Sequence, residues 1–295
     1  MTRKILLMVV AAVMVSGCGL KKMTTRTVGA ISWDGQAILE RDSDVEMARN
    51  NTIPLIRSLE VFSAGDPEDR RYLALLSKSY GQYAFGFYEE DMLRLKNTDE
   101  VEYAIAKRRA DLFYERGMNY GKRALKTRKL IGPLPEMEEA LSKQNEKEVL
   151  VLFWSAFSWG NWLNLHRDDP LAIVEVPQVT AIVKRVVELD PSYEYGAALA
   201  FMGALGSVRP AMLGGKPEEA RKYFDQAVET GPNYLMNKVM MAQYFAVQVQ
   251  DKALFTRLLR EVLASDPATL PERRLANELA QRRAKLLLDR VKEYF

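Results

Sequence analysis

The 295-residue sequence has very few of the residues that enzyme and metal sites most often use. It contains one cysteine, Cys18, and one histidine, His166. These counts exclude an internal disulfide and a metal site built from several Cys and His side chains. The formal net charge is only +3, which argues against a dedicated nucleic-acid binder. We therefore expect no catalytic residues, no metal and no cofactor. An enzyme using carboxylate, Lys or Tyr chemistry is an alternative to which no cluster points.

The N-terminal segment is typical of a signal peptide. Arg3 and Lys4 precede an apolar run over 5–15, shorter than the roughly 20 residues that a membrane-spanning helix needs. The run ends in the sequence VSGC, which resembles the bacterial lipoprotein box, where the cysteine is diacylated and the chain is cut before it. The segment predicts removal of 1–17 and lipidation of Cys18. An ordinary secretory signal with a chance cysteine is the alternative.

The residues after Cys18 carry two further expectations. Gly19 stands where an aspartate would retain a lipoprotein in the inner membrane. Its presence favours the outer membrane, with the protein facing the periplasm. Residues 18–30 are small and polar, which is typical of a tether.

Residues 31–295 show helical periodicity throughout and indicate a single all-α domain. Four helices share one pattern, in which apolar or small residues 4 and 3 apart are followed by a proline 5 residues later. This pattern resembles the second helix of the tetratricopeptide repeat. The four copies are Leu55-Leu59-Phe62-Pro67, Val179-Val183-Val186-Pro191, Ala220-Phe224-Ala227-Pro232 and Phe255-Leu259-Val262-Pro267.

The neighbouring segments predict the partners of these helices. Residues 70–93, 147–165, 194–206 and 235–249 are expected to pair with them in an α-solenoid of helical hairpins. In helix 107–127, small residues at 117, 121 and 124 would let a neighbouring helix approach closely. The charged helix 271–294, with Leu275, Leu279, Leu286 and Val291 as its buried face, is expected to cap the stack.

Two helices are more apolar than one packing face requires. They cover 72–88 and 149–165, and a helix that is apolar all round is buried all round. Both can be plain core helices. The alternative is that they line a cavity for an apolar or amphipathic ligand, with Trp154 and Phe157 serving the core and Trp159 and Trp162 turned elsewhere. The predicted cavity-lining residues are Tyr80, Tyr83, Phe87, Trp154, Phe157, Trp159 and Trp162.

Residues 203–217 predict an irregular segment inside a repeat. Gly214 and Gly215 permit unusual backbone angles, and Arg209 is a candidate anion contact. A long turn without a binding role is the alternative. His166, at a predicted helix end, is expected to be a helix-terminal cation rather than a ligand or a base.

Six separated segments carry a resemblance to one known family: 80–87 (YGQYAFGF), 110–125 (ADLFYERGMNYGKRAL), 153–162 (FWSAFSWGNW), 209–215 (RPAMLGG), 220–228 (ARKYFDQAV) and 274–288 (RLANELAQRRAKLLL). Together they resemble the TatT component of TRAP transporters, a tetratricopeptide-repeat lipoprotein, over about 30–295. The resemblance implies a helical-repeat fold with a cavity or pore, assembly as a trimer, and a periplasmic TRAP substrate-binding protein as the partner. It implies no catalytic residues.

Two functions therefore compete. The first is a lipid-anchored accessory component of a TRAP transporter that docks the substrate-binding protein and holds or passes a small apolar or amphipathic ligand. The second is a generic periplasmic scaffold for envelope protein assembly with no small-molecule site. A cavity would favour the first.

Overall fold

Every regular element in the part of the chain that the structure describes is helical, so the all-α prediction is confirmed. The computed structural model describes the backbone of residues 2–207 and 216–295 and the side chains of residues 19–207 and 216–295. The helices are α1 (Thr2–Glu40), α2 (Val45–Ser63), α3 (Arg70–Tyr83), α4 (Glu89–Leu95), α5 (Glu100–Lys126), α6 (Leu134–Ser142), α7 (Val149–Leu165), α8 (Pro170–Ile173), α9 (Val176–Leu189), α10 (Ala197–Ser207), α11 (Pro217–Thr230), α12 (Met236–Met240), α13 (Lys252–Ala264), α14 (Arg274–Asp289) and α15 (Val291–Tyr294).

Aspartate side chains begin many of these helices. Each accepts a hydrogen bond from a backbone N–H of the first turn, a group that has no partner within the helix. Such a cap contributes about 1 kcal/mol to helix stability. The capping residues are Asp44 for α2, Asp69 for α3, Asp99 for α5, Asp169 for α8 and Asp251 for α13.

The four helices that share the proline pattern are α2, α9, α11 and α13. In the last three, the three residues that precede the proline in each copy are fully buried. The first copy differs, because Phe62 of α2 is 48% exposed and Leu55 is half-buried. The predicted partner segments are also helical, in α3 and α4, α7, α10 and α12. Their tetratricopeptide-like character stays a prediction.

Helices α3, α5 and α7 form the most closely packed part of the molecule. The prediction of close approach at the small residues of α5 is confirmed. A Cβ added at Gly121 would lie only 2.8 Å from the Cα of Ser155 on α7, and one at Gly117 only 2.6 Å from Ser158 Oγ. Ser158 Oγ in turn donates to the carbonyl of Ser77 on α3, at 2.8 Å.

Helix α1 differs from the tether expected over 18–30, because these residues are helical. Thr25 is buried, and its hydroxyl donates to the carbonyl of Phe62 at 3.0 Å. Arg26 pairs with Asp66 at 3.0 Å. A segment without proline can continue a helix, and here the polar residues find partners on the α2–α3 side of the domain. Helix α1 therefore forms part of the domain wall.

Helix α14 has a wider role than the predicted cap. It packs against α12 and α13 from the C-terminal part of the chain and against α1, α2 and α4 from the N-terminal part. Its fully buried face is Asn277, Ala280, Ala284 and Leu287, whereas Leu275, Leu279 and Leu286 are half-buried. Since α14 joins both ends of the chain, the helices close around a central space.

Candidate functional site

The central space is a largely apolar cavity with a volume of about 160 Å³. For comparison, an engineered apolar cavity of about 150 Å³ stays dry and binds benzene. The wall comes from α1, α2, α3, α7, α10, α12 and α14 and from the turns that connect them. Its aromatic and aliphatic residues are Leu39, Leu55, Ile56, Tyr83, Phe85, Phe87, Phe153, Trp154, Phe157, Phe201, Tyr234, Met236, Met240, Leu275 and Leu279.

A π-helical turn over Ala84–Tyr88 shapes one side of the cavity. The wider turn brings Phe85, Gly86 and Phe87 to the cavity wall together. A Cβ added at Gly86 would meet Leu279 of α14 at 3.1 Å, so a larger residue would press on the neighbouring wall. Such turns are rare and occur frequently at functional sites.

A cluster of four charged side chains, which we call the polar end, reaches the cavity wall. Glu40, Glu194 and Arg273 line the cavity, and Lys78 pairs with Glu40 without lining it. Arg273 pairs with Glu194 at 2.9 Å and also with Glu40. Lys78 Nζ lies 2.7 Å from Glu40 Oε1. Burial acts against the Arg273 charge, but the carboxylates of Glu194 and Glu40 raise its pKa above the ordinary value. The guanidinium therefore stays charged.

The backbone at the polar end is strained. Glu194 and Tyr195 have φ angles of 49° and 58°, and Gly196 follows at 81°. Each non-glycine residue in this region costs roughly 1–2 kcal/mol. Side chains hold the turn in place: Tyr195 Oη donates to Glu272 at 2.9 Å, and Asn237 donates to the carbonyl of Tyr195 at 2.8 Å. Strain that surrounding contacts maintain is found mainly at functional sites.

Four of the predicted residues line the cavity: Tyr83, Phe87, Trp154 and Phe157. Burial raises the pKa of Tyr83 to about 12, so its hydroxyl stays neutral. Trp154 Nε1 donates to Tyr193 Oη at 3.0 Å, and Lys78 Nζ lies 4.8 Å from the centre of the Trp154 indole. Trp154 therefore connects the apolar wall to the polar end.

The structure places the other three described candidates elsewhere. Tyr80 Oη donates to Glu60 at 2.7 Å, between α2 and α3. Trp159 Nε1 donates to Glu175 at 2.7 Å on the outer side of α7. Trp162 stacks on His166, with ring centres 4.2 Å apart. Trp154 and Phe157 were expected to pack in the core, but they face the cavity. Trp159, expected to turn toward the cavity, packs on the opposite face of α7.

Two further candidates lie outside the described residues. Arg209 falls in 208–215, outside the residues that the structure describes. The backbone of Cys18 belongs to α1, but its side chain lies outside the described part.

Sequence reasoning missed most of the polar lining. Gln36 and Glu40 lie in a helix whose start looks like a tether, and Glu194 lies in a short connection. Arg273 lies 233 residues from Glu40. No local pattern joins residues so far apart in the chain. The only nearby signal is the SYEYG connection before α10, which has no helical periodicity.

Among the described residues, no helix is long and apolar enough to cross a membrane. The same part of the chain holds no group of three or more His, Cys, Asp or Glu side chains that could bind a metal ion. The arrangement that the structure does show can enclose a small apolar group and offer hydrogen bonds at one end. That is the chemistry of a binding site.

Comparisons with known proteins give the family of the chain. A family model described as the TRAP transporter T-component matches residues 41–295. The chain is also similar to an uncharacterized protein of Treponema pallidum (strain Nichols), with 22% identity over 89% of this chain and 84% of the relative. The chain belongs to the TRAP transporter T-component family, and its role is that of an accessory component of a TRAP transporter.

Proposed function

We propose that the protein is a lipid-anchored, periplasm-facing accessory component that docks the substrate-binding protein of a TRAP transporter and holds a small apolar or amphipathic ligand in its central cavity. The observation that carries the proposal is the cavity itself, an aromatic space of about 160 Å³ with α14 in its wall. A scaffold for envelope proteins has no need of such a space. Cys18 supplies the anchor, in the outer membrane.

The test of ligand holding is a cavity-filling substitution. Ala276 of α14 lines the cavity and is half-buried. Calorimetric titration of the purified full-length chain with hexan-1-ol should show binding, because six-carbon molecules are comparable in size to benzene. Ala276→Trp should abolish it. The matched control is Ala253→Trp, on the exposed surface of α13, which should bind as the parent does.

If hexan-1-ol and benzene both leave the parent chain unoccupied, the ligand-holding function is wrong. The scaffold without a small-molecule site then becomes the better explanation. Far-UV circular dichroism of both variants shows whether a lost signal reflects a blocked cavity or an unfolded chain.

Docking has its own test. The immobilised chain should retain a periplasmic substrate-binding protein from periplasmic extract, with mild cross-linking to capture weak association. The proposal gives the partner by its class and leaves the docking face to the cross-links. A trimer of this chain, which the family resemblance implies, would appear in the same experiment as links between identical peptides. Failure to retain any substrate-binding protein would remove the docking part of the proposal.

The anchor is tested at Cys18. Cells that express the chain should incorporate labelled palmitate into it, and the label should disappear in Cys18→Ser. Separation of the two membranes should place the labelled chain in the outer one. Label that persists in the serine variant would contradict the anchor.

A further inference from the structure

The charges at the polar end of the cavity are already balanced within the protein. Glu40 and Glu194 carry two negative charges, and Arg273 and Lys78 carry two positive ones. Each carboxylate contacts at least one of the two cations. Lys78 is only 2% exposed, so its pairing is made away from bulk water. No charge of either sign is left over in this group.

A different side chain offers hydrogen bonds. Gln36 lies one turn before Glu40 on α1, lines the cavity and is only 8% exposed. The Gln36 amide and the hydroxyl of Tyr234, a half-buried residue that also lines the cavity, form no hydrogen bond with another described residue. Both groups are therefore available to bond with a neutral group on a ligand.

We infer that the cavity selects uncharged amphipathic ligands, such as alcohols and primary amides, over carboxylates and amines of the same chain length. Gln36 and Tyr234 hydrogen-bond the neutral head group. The inference rests on the proposed function, because it names the ligand class of the same cavity. A carboxylate would add a third negative charge to the two negative and two positive charges of the polar end. An ammonium group would add a third positive charge. Either ion would lose its water without gaining a free partner.

The first experiment compares four ligands with one six-carbon chain. Hexan-1-ol, hexanamide, hexanoate and hexylammonium are titrated calorimetrically into the purified full-length chain at pH 7. The alcohol and the amide should bind at least tenfold more tightly than either ion, a difference of about 1.4 kcal/mol. Gln36→Leu keeps the size of the side chain and removes its amide. It should weaken the binding of the alcohol and the amide.

A charge variant gives the sharper test. Glu40→Gln leaves the polar end with one excess positive charge, so hexanoate should gain at least tenfold in affinity relative to hexan-1-ol. The matched control is Glu261→Gln. Glu261 also contacts one lysine and one arginine, Lys238 at 2.9 Å and Arg257 at 2.9 Å, but it lies on the exposed face of α13. Its ratio of acid to alcohol affinity should stay that of the parent.

The outcomes separate the two claims. Hexanoate that binds the parent as tightly as hexan-1-ol overturns the inference and leaves the proposed function standing. If none of the four ligands binds, the ligand-holding function itself fails. If Glu40→Gln does not fold, the order of the four ligands on the parent and on Gln36→Leu still decides.

Discussion

The two faces of α7 carry similar side chains and have different surroundings. On one face, Trp154 and Phe157 line the cavity. On the other, Trp159 is buried against the outer layer, where Lys122 lies over its ring at 4.4 Å and Glu175 accepts its N–H. Both indole N–H groups have partners, so hydrogen bonding alone does not distinguish the faces. What differs is the neighbour: a space on one side and a closed layer on the other.

This contrast shows what an excess of aromatic residues in a helix can and cannot indicate. When a helix has more aromatic residues than one packing face can hold, a second apolar surface must contact it. The excess does not show whether that surface is protein or cavity. In α7 the closed side is further fixed by Ser155 and Ser158, which lie against the glycines of α5. The substitutions below test the contrast, from the largest expected effect on stability to the smallest.

Trp159→Ala should have the largest effect. The ring is almost fully buried, and its removal leaves a hole in a closed layer, so the free energy of unfolding should fall by about 3–5 kcal/mol. Chemical denaturation measures the loss. Trp162→Ala is the control in the same helix. The Trp162 ring is only half-buried and stacks on His166, so the free energy of unfolding should fall by less. A small loss at Trp159 together with altered binding of hexan-1-ol would reverse the assignment of the two faces.

Gly121→Ala should come next. The added methyl group would meet the backbone of Ser155, which cannot move without shifting α7, so the expected loss is roughly 2–3 kcal/mol. The matched control is Gly35→Ala in α1, where the added methyl group meets no atom within 4 Å. That change should stabilise the chain by about 0.5–1 kcal/mol, because alanine favours a helix over glycine. Two changes of the same sign would contradict the close contact.

The sequence was sufficient to predict the parts of the fold that depend on local spacing. The proline pattern marks buried positions correctly in α9, α11 and α13, and the small residues of α5 indicate the close approach of α7. These signals work because 3.6 residues per turn fix which side chains share a face. The all-α class follows from the same periodicity.

The parts that sequence reasoning missed depend on which elements meet. Periodicity gives the angle between Trp154 and Trp159 but not the direction of the cavity. The pairing of Glu40 with Arg273 joins α1 to the turn before α14, which the closure of the fold brings together. The amino-acid composition of Ala84–Tyr88 does not predict its π-helical turn. The candidate site could therefore be predicted as an aromatic cavity, but not with its polar end.

Tyr193→Phe should have a smaller effect than either change above. It removes the oxygen that accepts the N–H of Trp154 and leaves this buried donor without a partner, at a cost of about 1–2 kcal/mol. Burial also raises the pKa of Tyr193, so its hydroxyl stays neutral over the working range of pH. A double-mutant cycle with Trp154→Phe measures the coupling. Additive losses would mean that the hydrogen bond contributes nothing.

The substitutions with the smallest expected effect on stability are Trp154→Phe and Trp159→Phe. Tryptophan emission in these variants gives the most direct view of the contrast between the two faces of α7. Three of the four tryptophans lie in α7, but only Trp154 lines the cavity. Hexan-1-ol in the cavity would contact the Trp154 indole and change its surroundings, so its emission should shift in wavelength on titration. The shift should disappear in Trp154→Phe and remain in Trp159→Phe, since the Trp159 indole faces Glu175 and Lys122 on the closed side. Phenylalanine is used at both positions because it keeps a ring in place and so limits the loss of packing. A shift that disappears in Trp159→Phe and survives in Trp154→Phe would place the ligand on the other face of α7.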